Sequence, residues 1–536
     1  MNELVTTARS HNLADLLRRS AARFPTRQAL LDGETSFTYS ELDAVVSAVA
    51  GALLDRGLGK GDRVAILGRN SWQYVVLSYA TARAGLVLVP INFMLRADEV
   101  AYILGHSGAT AVVADDGALL ATLLQAMGLI SLRPRVQGWI GARDGVVPEE
   151  WESVADWASG PVREIDVSLA DDDAIRIMYT SGTESRPKGA LLSSRALIAE
   201  YVSCIVDGGM AATDVDLHTL PLYHCAQLDC FLGPDVYLGA TSIVLPAPDP
   251  ATVLATIEKY RVTKYFAPPT VWISLLRHPD FDTRDLSSLE KGYYGASPMP
   301  VEILREIQER LPNLRLWNFY GQTEMAPVAT ILPPEEQVAF AGSAGRPVLN
   351  VETRVVDEAD RPVPPGVVGE VVHRSPQTTL GYYNDPAKTA AAFANGWFHS
   401  GDLGVMSEEG RLTIVDRKKD MIKTGGENVA SREVEEAIYL HPGIAEAAVF
   451  ALPDPKWVEA VTAVVVPKAG QSLTAEEVRA HVAGRLAGFK VPKQVFIADG
   501  LPKNPSGKIL KRELRSAYAA PGQESGDAAP GQEEVR

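Results

Sequence analysis

The chain has 536 residues, and at roughly 150 residues per domain that length predicts about three or four units. Lys+Arg 51 against Asp+Glu 67 leaves a net charge of −16, too acidic for a protein whose main partner is a nucleic-acid backbone. Hydrophobic residues at 46%, charged residues at 22%, and a modest Gly 44 and Pro 35 describe a folded globular chain, which excludes collagen, coiled coil and disordered scaffold.

The elements predicted in chain order begin with the strand Arg63–Leu67, a helix over 71–84 and a strand over 86–89. Further strands are expected at 111–114, 175–178 and 242–245, then a helix at 301–311 and a strand at 314–317. Strand–helix alternation of this length predicts an α/β fold, a large N-terminal lobe of mainly parallel sheets flanked by helices. Near Val348 the pattern changes to hairpin-like strands, at 354–356 and 369–373, expected to form a small β unit. Helical spacing at 431–440 and 475–486, with a strand at 461–466 between, predicts a small α+β C-terminal domain.

Charge divides in the same way. Residues 1–416 carry a net −17, whereas residues 417–517 carry 16 Lys+Arg against 12 Asp+Glu. A small basic unit beside a large acidic one suggests that the small one handles anions, though charge alone fits a solvated surface as well. The expected domains are 1–416, 417–517 and a disordered tail 518–536, which repeats Ala-Pro-Gly-Gln-Glu and is too polar to order itself.

Three cysteines, Cys204, Cys225 and Cys230, predict a reducing, cytoplasmic setting, no disulfide framework and no CxxC metal pair. The first residues show no apolar secretory core, and no run approaches the ~18 apolar residues of a membrane helix.

The densest chemistry lies in Tyr179-Thr-Ser-Gly-Thr-Glu-Ser-Arg-Pro-Lys-Gly189. Hydroxyls, glycines and a lysine following a strand suit a loop that wraps a polyphosphate: glycine lets backbone N–H groups turn inward, Ser and Thr donate, and lysine adds charge. It is not a Walker A loop, because Lys188 precedes Gly189. Asn318-Phe-Tyr-Gly-Gln-Thr-Glu324 offers an aromatic face for a base, a hydroxyl for a phosphate and a carboxylate for a hard cation.

These two segments, in this order, resemble the adenylate-forming superfamily, in its acyl-CoA synthetase and fatty-acid–CoA ligase branch. The resemblance covers roughly residues 10–515. It implies that Thr180, Ser181, Gly182, Thr183 and Lys188 grip the β- and γ-phosphates of ATP, with Glu184 and Ser185 departing from the usual hydroxyl and glycine. It implies further that Tyr320 stacks on adenine, Gly295, Ala296 and Ser297 line the adenine and acyl pockets, and Thr323 contacts the α-phosphate. Glu324, with Thr183, is implied as the Mg2+ site. Asp402, in Trp397-Phe-His-Ser-Gly-Asp402, and Arg417 match the ribose contacts, although either alone would read as a surface ion pair. His224, in Pro221-Leu-Tyr-His224, matches the gate of the carboxylate pocket, and a lone histidine there also suits a core.

In the C-terminal domain Lys419 matches the hinge of a mobile domain. Gly425 and Gly426 match the loop that lines the tunnel for the pantetheine arm, where glycine permits close approach. Lys508, on the loop Pro502-Lys-Asn-Pro-Ser-Gly-Lys508, matches the lysine that bridges the acid and the α-phosphate in the transition state. The implied enzyme is an AMP-forming acid–thiol ligase that uses ATP, Mg2+ and coenzyme A on a medium- or long-chain fatty acid. An aryl-CoA ligase and an enzyme loading a carrier-protein phosphopantetheine are the alternatives. Expected partners are small molecules only; peripheral lipid contact and a homodimer stay open.

Overall fold

Parallel strands need a crossover to cover each face, so short apolar runs separated by helices should build sheets buried on both sides. The computed structural model describes residues 8–9, 11–141, 146–180, 186–297, 299–468, 470–503 and 509–519, and these runs form two large sheets within it. In the eight-stranded sheet, Arg63–Leu67 lies between Val87–Pro90 and Ala111–Ala114, all parallel. Ala174–Thr180 continues the parallel set beside Val87–Pro90, then Lys188–Ser193 returns antiparallel and Gly381–Tyr382 closes that edge. The nine-stranded sheet has a parallel centre: Arg315–Gly321, Lys291–Gly295, Lys264–Phe266, Val215–His218, Thr241–Val244 and Gln28–Asp32.

Local chemistry sets where the helices begin. Ser71 accepts the N–H of Tyr74 and starts Trp72–Arg83, whose residues are buried without a break from Gln73 to Ala82. A helix apolar all round belongs in an interior. Thr38 and Glu41 form a reciprocal capping box that opens Tyr39–Asp55. The strand expected at 86–89 runs one residue later, Val87–Pro90, because the N–H of Leu86 is taken by the carbonyl of Thr81 at the helix exit. The hairpin-like region expected after Val348 contains the strands Glu352–Val356, Gly369–Arg374, Trp397–Met406 and Leu412–Arg417.

The chain divides into two compact units, one of Met1–Val356, Val372–Ser400 and Met406–Thr413, the other of Asp357–Val371, Gly401–Val405 and Ile414–Arg536. The second unit is α+β. Its centre is the antiparallel pair Ile444–Asp454 and Val458–Pro467. Val461, Ala463 and Val465 pack with Val434, Ile438 and Val478, while Val464 and Val466 pack with Phe450, Leu501 and Leu514. Both faces are therefore covered, which explains why 461–466 is apolar on both faces except at the buried Thr462. Thr474 caps Ala475–Ala483 through a second capping box with Glu477. The tail expected to be disordered from residue 518 starts later, because the helix Lys511–Tyr518 includes Tyr518, and residues 520–536 lie outside the described residues.

Candidate functional site

The phosphate-loop candidate spans a hairpin. Thr180 pairs with Lys188 across Ala174–Thr180 and Lys188–Ser193, so the loop leaves and returns at two facing residues. Ser181, Gly182 and Thr183, with Glu184 and Ser185, lie outside the described residues. The Lys188 ammonium sits 5.4 Å from the ring centre of Tyr382. That tyrosine is held on the same sheet, because Gly381 and Tyr382 pair with Leu191 and Ala190. Its O–H donates to Glu324 Oε1 at 2.8 Å. One side chain thus joins the lysine of the first motif to the carboxylate of the second, and Glu324 is only 8% exposed.

Sequence reasoning missed Tyr382. Its signal was the run Gly381-Tyr-Tyr-Asn384 ahead of a helix-starting proline, which reads as an ordinary turn. We expect Tyr382→Phe, which loses the hydroxyl but keeps the ring, to slow adenylation about 10-fold, and Tyr382→Ala to slow it about 100-fold. ATP–pyrophosphate exchange measures both, and equal losses in the two variants would rule out a separate contribution from the ring.

Gly295 ends the strand Lys291–Gly295 and Ala296 and Ser297 follow it, while Tyr320 to Glu324 run over the carboxyl end of its parallel neighbour Arg315–Gly321. Ligands of open α/β sheets bind at such ends. A Cβ on Gly295 would lie 2.6 Å from the carbonyl oxygen of Phe319, so the two strands approach as only glycine permits. Ala296 adopts a left-handed φ of 65°, and it and Ser297 are exposed. The Tyr320 ring is 6.4 Å from that of His373. His373 is buried with its Nδ1 3.0 Å from Thr353 Oγ1, and burial lowers it to about 3, so this imidazole is neutral.

Thr323 opens a short 3-10 turn, with its hydroxyl 3.4 Å from Cys225 Sγ. His224 stands beside that thiol, at 3.8 Å, and its Nδ1 accepts the N–H of Ala226. An Nδ1 that accepts leaves the ring proton on Nε2. Burial pushes the Cys225 thiol up to about 12, so it is no nucleophile. All three cysteines are buried free thiols, in keeping with a packing role. Thr180, Lys188, Glu324, Thr323 and His224 are thus linked through Tyr382, Cys225 and the hairpin.

In the second unit Asp402 is 5% exposed, with Arg417 Nε 3.3 Å from its carboxylate. The backbone of Arg417 is fixed by Asp416, whose other oxygen accepts the N–H of Ser431 at 2.5 Å. Lys419 lies in the turn between Leu412–Arg417 and Ile422–Thr424, and Arg515 pairs with Asp420 of the same turn at 2.6 Å. Gly425 and Gly426 form the two-residue turn between Ile422–Thr424 and Glu427–Val429, with φ of 61° and 88°. Two positive φ values in succession define a type I′ hairpin, which glycine adopts without strain. Lys508 lies outside the described residues.

The AMP-binding enzyme family model matches residues 17–383, and the AMP-binding enzyme C-terminal domain matches residues 433–508. The chain belongs to the AMP-binding enzyme family. Its branch of the adenylate-forming superfamily is that of the acyl-CoA synthetases. This AMP-binding enzyme is 36% identical over 510 residues to a feruloyl-CoA synthase of Amycolatopsis sp., covering 95% of this chain and 100% of the relative. It is 35% identical to the long-chain-fatty-acid–CoA ligase FadD13 of Mycobacterium tuberculosis, covering 95% and 99%. The crystal structure of ATP-bound MatB from Rhodopseudomonas palustris superposes with a TM-score of 0.86 at 30% identity, covering 95% and 99%. The AMP-binding enzyme is accordingly an AMP-forming acid–thiol ligase. Among its described residues no helix is long and apolar enough to cross a membrane.

Proposed function

We propose that the protein joins an apolar carboxylic acid to coenzyme A, with ATP converted to AMP and pyrophosphate through an acyl-adenylate. The observation that carries this reading is Tyr382, which gathers Lys188 and Glu324 into one group. An ammonium and a buried carboxylate meeting on one tyrosine suit a metal–triphosphate, since the first neutralises phosphate oxygens and the second is a hard donor.

In the first step an oxygen of the substrate carboxylate attacks the α-phosphorus, and the bond to the β-phosphate oxygen breaks to release pyrophosphate. Thr180, Ser181, Gly182, Thr183 and Lys188 hold the leaving phosphates. Thr323 contacts the α-phosphate, and Tyr320 with Gly295, Ala296 and Ser297 frames the adenine. Asp402 and Arg417 take the ribose. Glu324 and Thr183 would hold Mg2+, which supplies charge neutralisation on the phosphates when bound. Lys508 bridges the acid and the α-phosphate, and His224 guards the carboxylate pocket. In the second step the small domain, residues 417–517, turns about Lys419 and presents Gly425 and Gly426 to the pantetheine arm. The thiol sulfur attacks the acyl carbon, AMP leaves, and the thiol proton passes to solvent.

A medium- or long-chain fatty acid is the first candidate for the acid. An aryl acid is the second reading, favoured by the feruloyl-CoA synthase relative and by the stacked rings of Phe231 with Phe266 and Phe319, which share a core cluster with Cys230. Pyrophosphate release with ATP and coenzyme A across fatty, aryl and amino acids tests the proposal. Turnover is expected with one of the two apolar classes; activity confined to amino acids would refute it.

A further inference from the structure

Resting on that reading, the contacts around the triphosphate loop point to two residues outside every motif above. We infer that Tyr102 and His106, one turn apart on the helix Ala97–Ser107, are positioning residues that hold both feet of the loop and so set its grip on the β- and γ-phosphates. The Tyr102 hydroxyl donates to the carbonyl of Pro187 at 3.3 Å, and the Arg186 guanidinium lies 5.3 Å from its ring. That is the outgoing foot. On the incoming foot, His106 Nδ1 is 2.8 Å from the Tyr179 hydroxyl, and their rings meet edge to face at 5.8 Å. The two rings on the helix stack on each other at 5.3 Å, so the feet are coupled through them.

Residues four apart share one helix face, and here that face meets the loop while the other is buried. Val100, Ala101, Ile103 and Leu104 are in the core. The helix end is tied down as well: Gly108 caps it in the left-handed region, and Arg63 donates to the carbonyls of Ser107 at 2.9 Å and Gly108 at 2.8 Å. A third element joins the clamp, since Tyr383 packs edge to face on His106 at 5.8 Å and its N–H donates to the carbonyl of Gly189.

The ladder of the hairpin ends at Thr180 and Lys188, so the carbonyl of Pro187 lies beyond the last pair, and Tyr102 supplies its partner. Flanks fixed in advance at Tyr179 and Pro187 favour triphosphate binding, because pre-organised groups lose less freedom when the ligand arrives. Burial lowers His106 and raises the Tyr179 phenol, so a neutral ring and a protonated hydroxyl share this hydrogen bond; Asp385 and Lys388 are the charged groups that act on His106.

The discriminating measurement is affinity for AMP against affinity for a non-hydrolysable ATP analogue with Mg2+, on the full chain. In Tyr102→Ala/His106→Ala we expect the analogue to bind about 10-fold more weakly and AMP to change less than about 2-fold. Tyr102→Phe, which keeps the ring and loses the hydroxyl, should show about a 3-fold effect on the analogue alone. A role in packing only would weaken both nucleotides equally, and that result, or unchanged analogue binding, overturns the inference. Lys188→Ala separates the two levels. If it weakens the analogue while the double variant does not, the helix has no positioning role. If it too spares the analogue, the phosphate-loop reading falls and the inference falls with it.

Discussion

Replacing Lys508 by alanine is expected to slow acyl-adenylate formation by about 100- to 1000-fold while leaving thioester formation from supplied acyl-adenylate within about 3-fold of the unaltered protein. The carboxylate is a weak nucleophile attacking an anion, so negative charge crowds the transition state. A cation bridging the two reactants, the role proposed for Lys508, acts only there, and its removal lowers the rate rather than substrate affinity. Once the adenylate exists, the thiol attacks a neutral carbonyl carbon and the bridging charge has no further task. The flanks of the loop are anchored: Lys503 and Ile509 form an antiparallel bridge, and the N–H of Leu510 donates to the carbonyl of Pro502 at 2.8 Å. Loss of both half-reactions to the same extent would contradict the proposed division of labour between the two faces of the small domain.

The largest expected effect on stability comes from Lys264. Its side chain is 0% exposed and lies 3.2 Å from Asp216 Oδ2 and in direct contact with Asp235 Oδ1. His218 Nε2 lies 3.3 Å from the other oxygen of Asp235, and Gln227 Nε2 lies 2.7 Å from His218 Nδ1. Such a group is costly to bury and more costly to break, because deleting the cation strands two carboxylates in a dry core. Lys264→Ala should therefore cost about 3–5 kcal/mol, lowering the unfolding midpoint of its large unit by on the order of 3–6 °C. Lys264→Met combined with Asp235→Asn removes a charge of each sign and should recover much of the loss. If Lys264→Ala unfolds at the same temperature as the parent, the buried network is not a source of stability.

That lysine also shows why part of the fold was hidden in the sequence. Arg63–Leu67 and Trp72–Arg83 were legible because an apolar run and a Ser cap are local signals. The strand Lys264–Phe266 is three residues long and begins with a charge, so no periodicity marks it. Its burial depends on Asp216 and Asp235, which come from other elements of the chain. The strand pair Gln28–Asp32 and Thr35–Thr38 was missed for a similar reason: short, half-polar strands pair because a neighbouring sheet edge accepts them.

The chemistry of the site divides in the same way. Residue types alone determined that a hydroxyl-rich loop with a lysine and an aromatic–Thr–Glu segment suit a nucleotide triphosphate, because donor, charge and stacking face belong to the side chains themselves. Only the tertiary structure decided that Tyr382 would join Lys188 to Glu324, and that Tyr102 and His106 would brace the loop. Those contacts link residues tens to hundreds of positions apart. Their existence depends on sheet register and helix packing, which the burial of the whole core sets and no short stretch of chain encodes.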